Sequence, residues 1–368
     1  MVSVIDSLDE FKDYHERWET LRQRCGAPVF VSSDLVGLWL ANYQGTVKPQ
    51  LVVAEDGGDL VGAAPLCTYR HSVAGLPVRT LTLVGNGKGI IGYSLLSIMS
   101  TSDDLAVKAL VQGVRKANWN LLQLFDLEPS PQVLRFLDVM KEDLEWQPYA
   151  ETNNIFYEYP PDGSVDARFG RHTRKILRGV KRKLTEEGRL RYSIIESPDE
   201  AERAMRVYVQ QHIERWESKG GSIFKEERNA RMLVEMARLF TGRGQGLVID
   251  VLIDGEVAGQ AFTISDGDVV RGYRLGMSNK FADFSPGKLA MVAAMEETRR
   301  RGFKGMDLLR GKEEYKMHMM TQERTLSAIQ AQRGALNMMS KFRGLPPVKR
   351  LDAHLHVRER MLKRIYQG

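Results

Sequence analysis

Between Gly246 and Lys316 the apolar positions change period twice. Leu247 to Ile253 is a run rich in Val, Leu and Ile, Asp254-Gly255 is a tight-turn pair, and Val257 to Ile264 runs back. Asp266-Gly267 marks a second turn, and Val269 to Gly276 completes an antiparallel meander. Ser285-Pro286-Gly287 then opens a helix, because a proline in the first turn has no N–H to lose. Leu289, Val292, Ala293, Met295 and Glu296 mark that helix, which closes at Arg299-Arg300-Arg301-Gly302. Met306 to Leu309 is a short strand by composition. Meander, helix and strand make an α/β unit.

The same order occurs once before. Residues 7–24 and Leu35 to Tyr43 are expected as helices, with Ser32-Ser33-Asp34 as the cap between them. Leu51 to Ala54 and Leu60 to Tyr69 form a hairpin around Asp56-Gly57-Gly58-Asp59. Val78 to Val84 is a further strand, followed by the loop Gly85-Asn86-Gly87-Lys88-Gly89. Ser102-Asp103-Asp104 caps a helix over Leu105 to Ala117, and Leu121 to Leu127 is a strand. Set beside each other, Leu51 to Ala64 and Val251 to Ala261 share a hairpin with matching glycines at Gly62 and Gly259. Asp56 falls beside Asp254, and Asp126 beside Asp307. This predicts an internal duplication.

Charge adds a link between the copies. The net charge is +6, but Arg168 to Arg191 alone carries ten Lys/Arg against two Glu, or +8. Lys341 to Gly368 carries eight against two acids, or +6, so the remainder sums to −8. Val165 to Glu187 reads as a helix with Phe169, His172, Ile176, Gly179, Val180 and Lys183 or Leu184 inward. Arg171, Arg174, Lys175, Arg178, Lys181 and Arg182 then point outward. A solvated face, a phosphate-bearing partner or an anionic membrane surface each fits. Few aromatics interleave these residues, which argues against stacking on single-stranded nucleic acid. Pro198-Asp199-Glu200 opens another helix, Ala201 to Lys219, and Leu351 to Tyr366 is basic and amphipathic.

Composition excludes several classes. No window approaches the roughly 18 apolar residues of a membrane span. The acidic start, with Asp6, Asp9, Glu10 and Asp13, does not read as a signal peptide, so a cytoplasmic setting is expected. Cys25 and Cys67 offer no disulfide framework, and the seven histidines are scattered without metal-ligand spacing.

Four phrases together resemble a known family. They are Arg168 to Gly188, His212-x-x-Arg215-Trp216-x-x-x-Gly220, Phe284-Ser285-Pro286-Gly287-Lys288-Leu289, and Asp307-Leu-Leu-Arg310-Gly311-Lys-Glu313-Glu-Tyr315-Lys316. The set resembles the CelD/BcsL-type acetyltransferases of the FemAB-like branch of the GNAT superfamily. The resemblance implies two tandem GNAT-like domains, expected at residues 1–160 and 161–335, with a basic tail over 336–368. It implies transfer of an acyl group to an amine on a small molecule, sugar or peptide. The implied donor is acetyl-CoA or another acyl-CoA, without metal; FemX-like relatives use aminoacyl-tRNA instead. The ordinary GNAT phosphate loop does not stand before Leu289, and the Gly85 to Gly89 loop lacks a helix directly after it.

On that frame Tyr273, Arg274, Ser285, Gly287, Lys288 and Arg310 are the expected donor contacts. The helix start would offer unpaired N–H groups to phosphate. Tyr273 and Arg274 alternate, so one of them should point into the cleft. Glu313 is the candidate base, Tyr315 the acid, and Lys316 the oxyanion or phosphate contact. The same segment also fits a solvated helix start with a Glu313–Lys316 pair. His212, Arg215 and Trp216 share a helical face and fit either an acceptor wall or a structural cluster. His318 is a weaker base candidate that fits the surface. A degenerate GNAT pair that binds nucleic acid or a membrane surface without catalysis, through the basic helix with Arg171, Arg174, Lys175 and Arg178, is the non-enzymatic alternative.

Overall fold

The computed structural model describes residues 1–336 of the chain except 74–75, 88–91, 93–95, 102–103, 320 and 335. Part of the loop Gly85 to Gly89, the cap residues Ser102 and Asp103, and the tail segment Leu351 to Tyr366 lie outside the described residues. The chain divides into two compact units, one of residues 1–152 with the chain from Thr325, the other Asn153–Arg324. The first division falls at 152/153, and the chain returns to the first unit at Thr325.

The first unit opens with β1 (Val2–Ile5), α1 (Leu8–Lys12), α2 (His15–Arg24) and α3 (Ser33–Asn42). Strands β2 (Lys48–Pro49), β3 (Leu51–Asp56), β4 (Asp59–Ala64), β5 (Leu66–Val73), β6 (Leu76–Leu83) and β7 (Met99–Ser100) follow. Then come α4 (Asp104–Lys116), β8 (Leu121–Leu127), α5 (Pro131–Asp143) and β9 (Trp146–Glu158), whose last residues belong to the second unit. The second unit has α6 (Arg171–Glu186), β10 (Leu190–Ile195), α7 (Pro198–Trp216), α8 (Glu227–Gly242), β11 (Gly246–Ile253), β12 (Glu256–Asp266) and β13 (Val269–Met277). It closes with α9 (Pro286–Arg300), β14 (Gly305–Arg310) and α10 (Glu314–Met317), and β15 (Gln322–Gln332) carries the chain back. Among the described residues no helix is long and apolar enough to cross a membrane.

Four sequence expectations are corrected. Residues 7–24 hold two helices, because α1 is capped by the Ser7 hydroxyl and stops at Asp13. The expected strand Leu60 to Tyr69 breaks at Pro65 into β4 and β5, which lie in different sheets; proline has no N–H for a ladder. The basic helix starts at Arg171, and its buried residues are Leu177 and Leu184 while Ile176 is exposed. Val180 packs against the core and Leu184 is buried as expected, while Leu177 takes the place of Ile176 and His172 is exposed. The third strand of the meander runs on through Met277.

Register makes the duplication concrete. In the first hairpin Ala54 pairs Gly62 and Glu55 pairs Leu60; in the second Val251 pairs Gly259 and Leu252 pairs Val257. Each is a bulge at the same step before the turn. The turns match as well, with positive φ at Gly57 and Gly58 and at Asp254 and Gly255. Gly57, not Asp56, is thus the counterpart of Asp254. A second bulge also recurs. Strand β8 pairs β15 at Leu124 and next at Leu127, and β14 pairs β9 at Asp307 and next at Arg310. Inside each gap one residue is left-handed: Asp126 at φ 54° and Leu309 at φ 59°. Leu124, not Asp126, therefore stands where Asp307 stands. The fold is mixed α/β, built from two copies of one unit.

Candidate active site

The second unit has a sheet in the order β10-β11-β12-β13-β14-β9. All neighbours are antiparallel except β13 and β14, which run parallel and pair only from Val269 with Gly305 to Arg271 with Asp307. Beyond that point the two strands part. Asp307 enforces the parting. It is fully buried and accepts hydrogen bonds from Arg271 Nη1 at 2.9 Å, Asn154 Nδ2 at 2.7 Å and the Leu309 N–H at 2.8 Å. The last bond holds Leu309 in its left-handed conformation, which costs a non-glycine residue about 1–2 kcal/mol. Arg271 is shared with Asp266 at 2.8 Å, so its buried charge is compensated twice.

Strand β13 is bulged where it parts. Phe262 pairs Arg274 and Thr263 pairs Gly272, which leaves Tyr273 as the extra residue. Simple alternation fails there, and Arg274 folds over the Tyr273 ring with its guanidinium carbon 4.3 Å from the centroid. Two residues on, alternation resumes and sorts the faces. A Cβ on Gly276 would lie 2.7 Å from the Tyr208 ring of α7. A Cβ on Gly259 would lie 2.3 Å from the Pro286 carbonyl oxygen at the start of α9. Helix α7 therefore covers one face of β12 and β13, and α9 begins against the other.

The start of α9 is built for close approach. Ser285 is left-handed, and its carbonyl accepts from the Lys288 and Leu289 N–H groups at 3.0 and 3.2 Å. Pro286 has no N–H, which leaves Gly287 as the first N–H at the helix end. A Cβ on Gly287 would lie 3.3 Å from the Gly276 oxygen, so β13 and the helix start touch through backbone. Ser285 and Lys288 are partly exposed beside them.

The segment after β14 folds back on itself. Lys316 is 5% exposed; its ammonium donates to the Arg310 carbonyl at 2.7 Å and pairs with Glu313 at 2.9 Å. Burial lowers the Lys316 pKa, and the Glu313 charge opposes that. The Glu313 carboxylate lies over Gly311, where a Cβ would come within 2.6 Å of it; Gly311 has a φ of 107°. Tyr315 is partly buried. Burial raises its phenol, and Glu313 and Tyr208 push the same way.

His212, Arg215 and Trp216 complete the cluster from α7. His212 stacks on Trp216 at 5.8 Å and meets Phe224 edge-on at 4.9 Å. Its Nδ1 lies 2.8 Å from the Ser222 hydroxyl, which accepts the Phe224 N–H at 3.0 Å. Burial, then the charges of Arg274 and Arg215, push its pKa down to about 4. Arg274 reaches the Phe224 ring at 6.0 Å. The expected site residues thus lie around one stretch, the parted ends of β13 and β14. His318 is exposed, and its carbonyl accepts the Gly170 N–H at 3.0 Å. Sequence reasoning missed Tyr208, Ser222, Phe224 and the Arg271–Asp307 pair. Gly272 and Gly276 inside one strand were the available signal, since such glycines mark bulges and close backbone approach.

A family model described as an acetyltransferase (GNAT) domain matches residues 171–317. Those residues form a GNAT acetyltransferase domain. The match spans the basic helix, the meander, α9, β14 and the Glu313–Lys316 segment, and it makes the protein an acyltransferase. Among solved structures, a conserved protein of unknown function from Bacteroides thetaiotaomicron is similar, with a TM-score of 0.54 at 10% identity, over 91% of this chain and all of that one. FemX is similar to the same degree, with a TM-score of 0.54 at 10% identity, over 93% of this chain and 99% of its own. Likeness at that identity concerns the fold. No curated protein matches the chain in sequence.

Proposed function

We propose that the GNAT domain transfers an acetyl or other acyl group from acyl-CoA directly to an amine. The observation that carries this is the parting of β13 and β14 with the start of α9 seated against backbone at Gly259 and Gly276. The parted β13 leaves main-chain groups for the pantetheine arm, and one N–H there would polarise the thioester carbonyl. The Gly287 N–H, Lys288 and the Ser285 hydroxyl would receive donor phosphate.

Glu313 takes the proton as the amine nitrogen bonds to the carbonyl carbon. Lys316 acts as its positioning residue, since the ammonium is committed to Arg310 O and to Glu313. When the C–S bond breaks, the sulfur leaves as a thiolate. Tyr315 would hydrogen-bond that thiolate without giving up its proton, because its raised phenol is a weaker acid than an ordinary thiol near about 8.5. Water then protonates the thiolate.

We further read the chain as the CelD/BcsL type, acting in the cytoplasm on a small-molecule, sugar or peptide amine, on the sequence phrases given above. A phosphate-bearing partner at the basic helix, including aminoacyl-tRNA as donor, is the second reading. Arg171 and Lys175 favour it, being exposed and without ion pairs among the described residues. Arg178 and Lys181 weigh against it, because they are bound to Asp166 at 2.6 Å and Glu296 at 3.1 Å.

The test is acetyl-CoA binding by calorimetry on the wild type, Gly287→Glu and Glu313→Gln. Wild type and Glu313→Gln are expected to bind alike, and Gly287→Glu to lose binding. Glu313→Gln is expected to lose about 10²–10⁴-fold in kcat on an amine acceptor. Absence of binding to the wild type at millimolar ligand would shift the donor to aminoacyl-tRNA.

A further inference from the structure

We infer that the amine acceptor carries an anionic group, a carboxylate or a phosphate, and that Arg274 and Arg215 receive it. This deepens the acyl-transfer reading and rests on it. Several arginines of the second unit are held by carboxylates: Arg178 by Asp166, Arg189 by Asp254, Arg238 by Asp199, Arg271 by Asp307 and Arg301 by Glu297. Neither Arg274 nor Arg215 forms an ion pair with a carboxylate among the described residues. Arg274 is instead fixed by two aromatic rings, at 4.3 Å from Tyr273 and 6.0 Å from Phe224. Among the described residues its Nε is buried without a hydrogen-bond acceptor, and its Nη2 makes a long 3.3 Å contact to the Tyr273 hydroxyl. Rings orient a guanidinium without neutralising it, so the fork is rigid and its charge is still available.

The two arginines act on one place. The charges of both bear on His212 and on Tyr208, and that of Arg215 also on Tyr315. Glu313, whose charge bears on Tyr315 as that of Arg215 does, is engaged with Lys316. A ligand that brings only an ammonium would meet net positive charge there. One that also brings an anion would find two guanidinium groups.

The anion belongs to the acceptor and not to the donor because of the faces of β13. Arg274 and Gly276 are two apart and share the face that α7 covers, where Tyr208 packs. Met277 and Gly259 pair across the strands and face the start of α9, where the donor phosphates would sit. The two anion-receiving positions are therefore on opposite sides of one strand.

The test uses three small amines on the whole protein: glycine, aminomethylphosphonate and methylamine. The ring protons of His212 report binding by NMR, so the readout does not depend on turnover. Glycine or aminomethylphosphonate is expected to shift His212, and the stronger of the two names the anion. Methylamine is expected to shift it little. Arg274→Met is expected to weaken the anionic ligand about 10- to 100-fold, and Arg215→Met to weaken it less. Arg274→Lys, which keeps the charge and the stem but loses the fork, is the second variant if Met perturbs folding. Equal response to all three amines, or an unchanged response in the Arg274 variants, overturns the inference. Acetyl-CoA binding on the same samples separates the two readings. A His212 response without acetyl-CoA binding removes the donor and keeps the anion site.

Discussion

The two copies of the α/β unit carry the same bulge with opposite contents. In the first, Leu124 is buried and apolar, and the left-handed residue that follows is Asp126. Aspartate tolerates that conformation well. In the second, Asp307 is buried and triply bonded, and the left-handed residue is Leu309, which tolerates it poorly. One copy thus forms its bulge at low cost, while the other forces it with a buried carboxylate clamped by Arg271. Backbone strain of this kind collects where a chain has a task. Ser285, also left-handed in the second copy, stands at the start of α9, against the other parted strand, β13. The contrast teaches that the hairpins record the common plan, and the bulge contents record where the two copies diverged.

The largest expected effect comes from removing the clamp. Asp307→Ala removes one carboxylate from the buried Arg271 and the acceptor of the Leu309 N–H, so the second unit should lose about 3–5 kcal/mol. The parted strand ends should also lose their donor affinity. Leu124→Ala, at the matching place in the first unit, should cost about 2–5 kcal/mol as an ordinary cavity. Acetyl-CoA affinity should then survive. Urea unfolding and calorimetry on both variants check the pair, and equal loss of binding in both would erase the distinction between copies.

The matching glycines give a smaller and cleaner contrast. A Cβ on Gly259 would sit 2.3 Å from the Pro286 oxygen, whereas one on Gly62 would sit 3.1 Å from a Leu110 methyl. Backbone at a helix start has no room to yield, but the end of a leucine side chain does. Gly259→Ala should cost about 1–3 kcal/mol and displace the start of α9. That displacement should weaken acetyl-CoA more than tenfold. Gly62→Ala should cost less than about 1 kcal/mol and leave the ligand alone. Comparable losses for the two would mean that α4 and α9 seat alike, against this account.

Much of the second copy was legible because each strand and turn there has its own local signal. Asp254-Gly255, the apolar runs around it, and Pro286 at a helix start each specify structure within a few residues. The segment Asp307 to Lys316 was legible as a phrase, yet its chemistry was not. That Lys316 turns to Arg310 O, and that Asp307 clamps Leu309, follow from a bulge set by pairing with β9. Nothing local to β14 encodes that partner. The same holds for Tyr208 and Phe224, whose neighbours come from distant strands. The basic helix shows another limit. Its long cationic side chains fit either side of a helical wheel, so the periodicity finds Val180 and Leu184 but takes Ile176 for Leu177. The internal repeat shows in the hairpins, but charge pairs Asp126 with Asp307 whereas the backbone pairs Leu124 with Asp307, bulge with bulge.

The smallest effect concerns His212, which belongs to the second copy alone. An ordinary histidine titrates near about 6.5, and burial beside Arg274 and Arg215 brings this one down to about 4. Between those values the unfolded chain binds a proton at this position and the folded chain does not. The second unit should therefore lose stability as the pH falls from about 6.5 towards 4, with no such loss from this group above that window. His212→Gln cannot take up the proton in either state, so its unfolding midpoint should depend less steeply on pH over the same range. Urea midpoints at pH 7 and pH 5 for the two proteins measure the difference. An equal slope would mean that His212 takes up its proton as readily in the folded protein as in the unfolded chain. A third cation would then stand beside the two arginines below about pH 6.5, and an anionic acceptor should bind more tightly there than at pH 7.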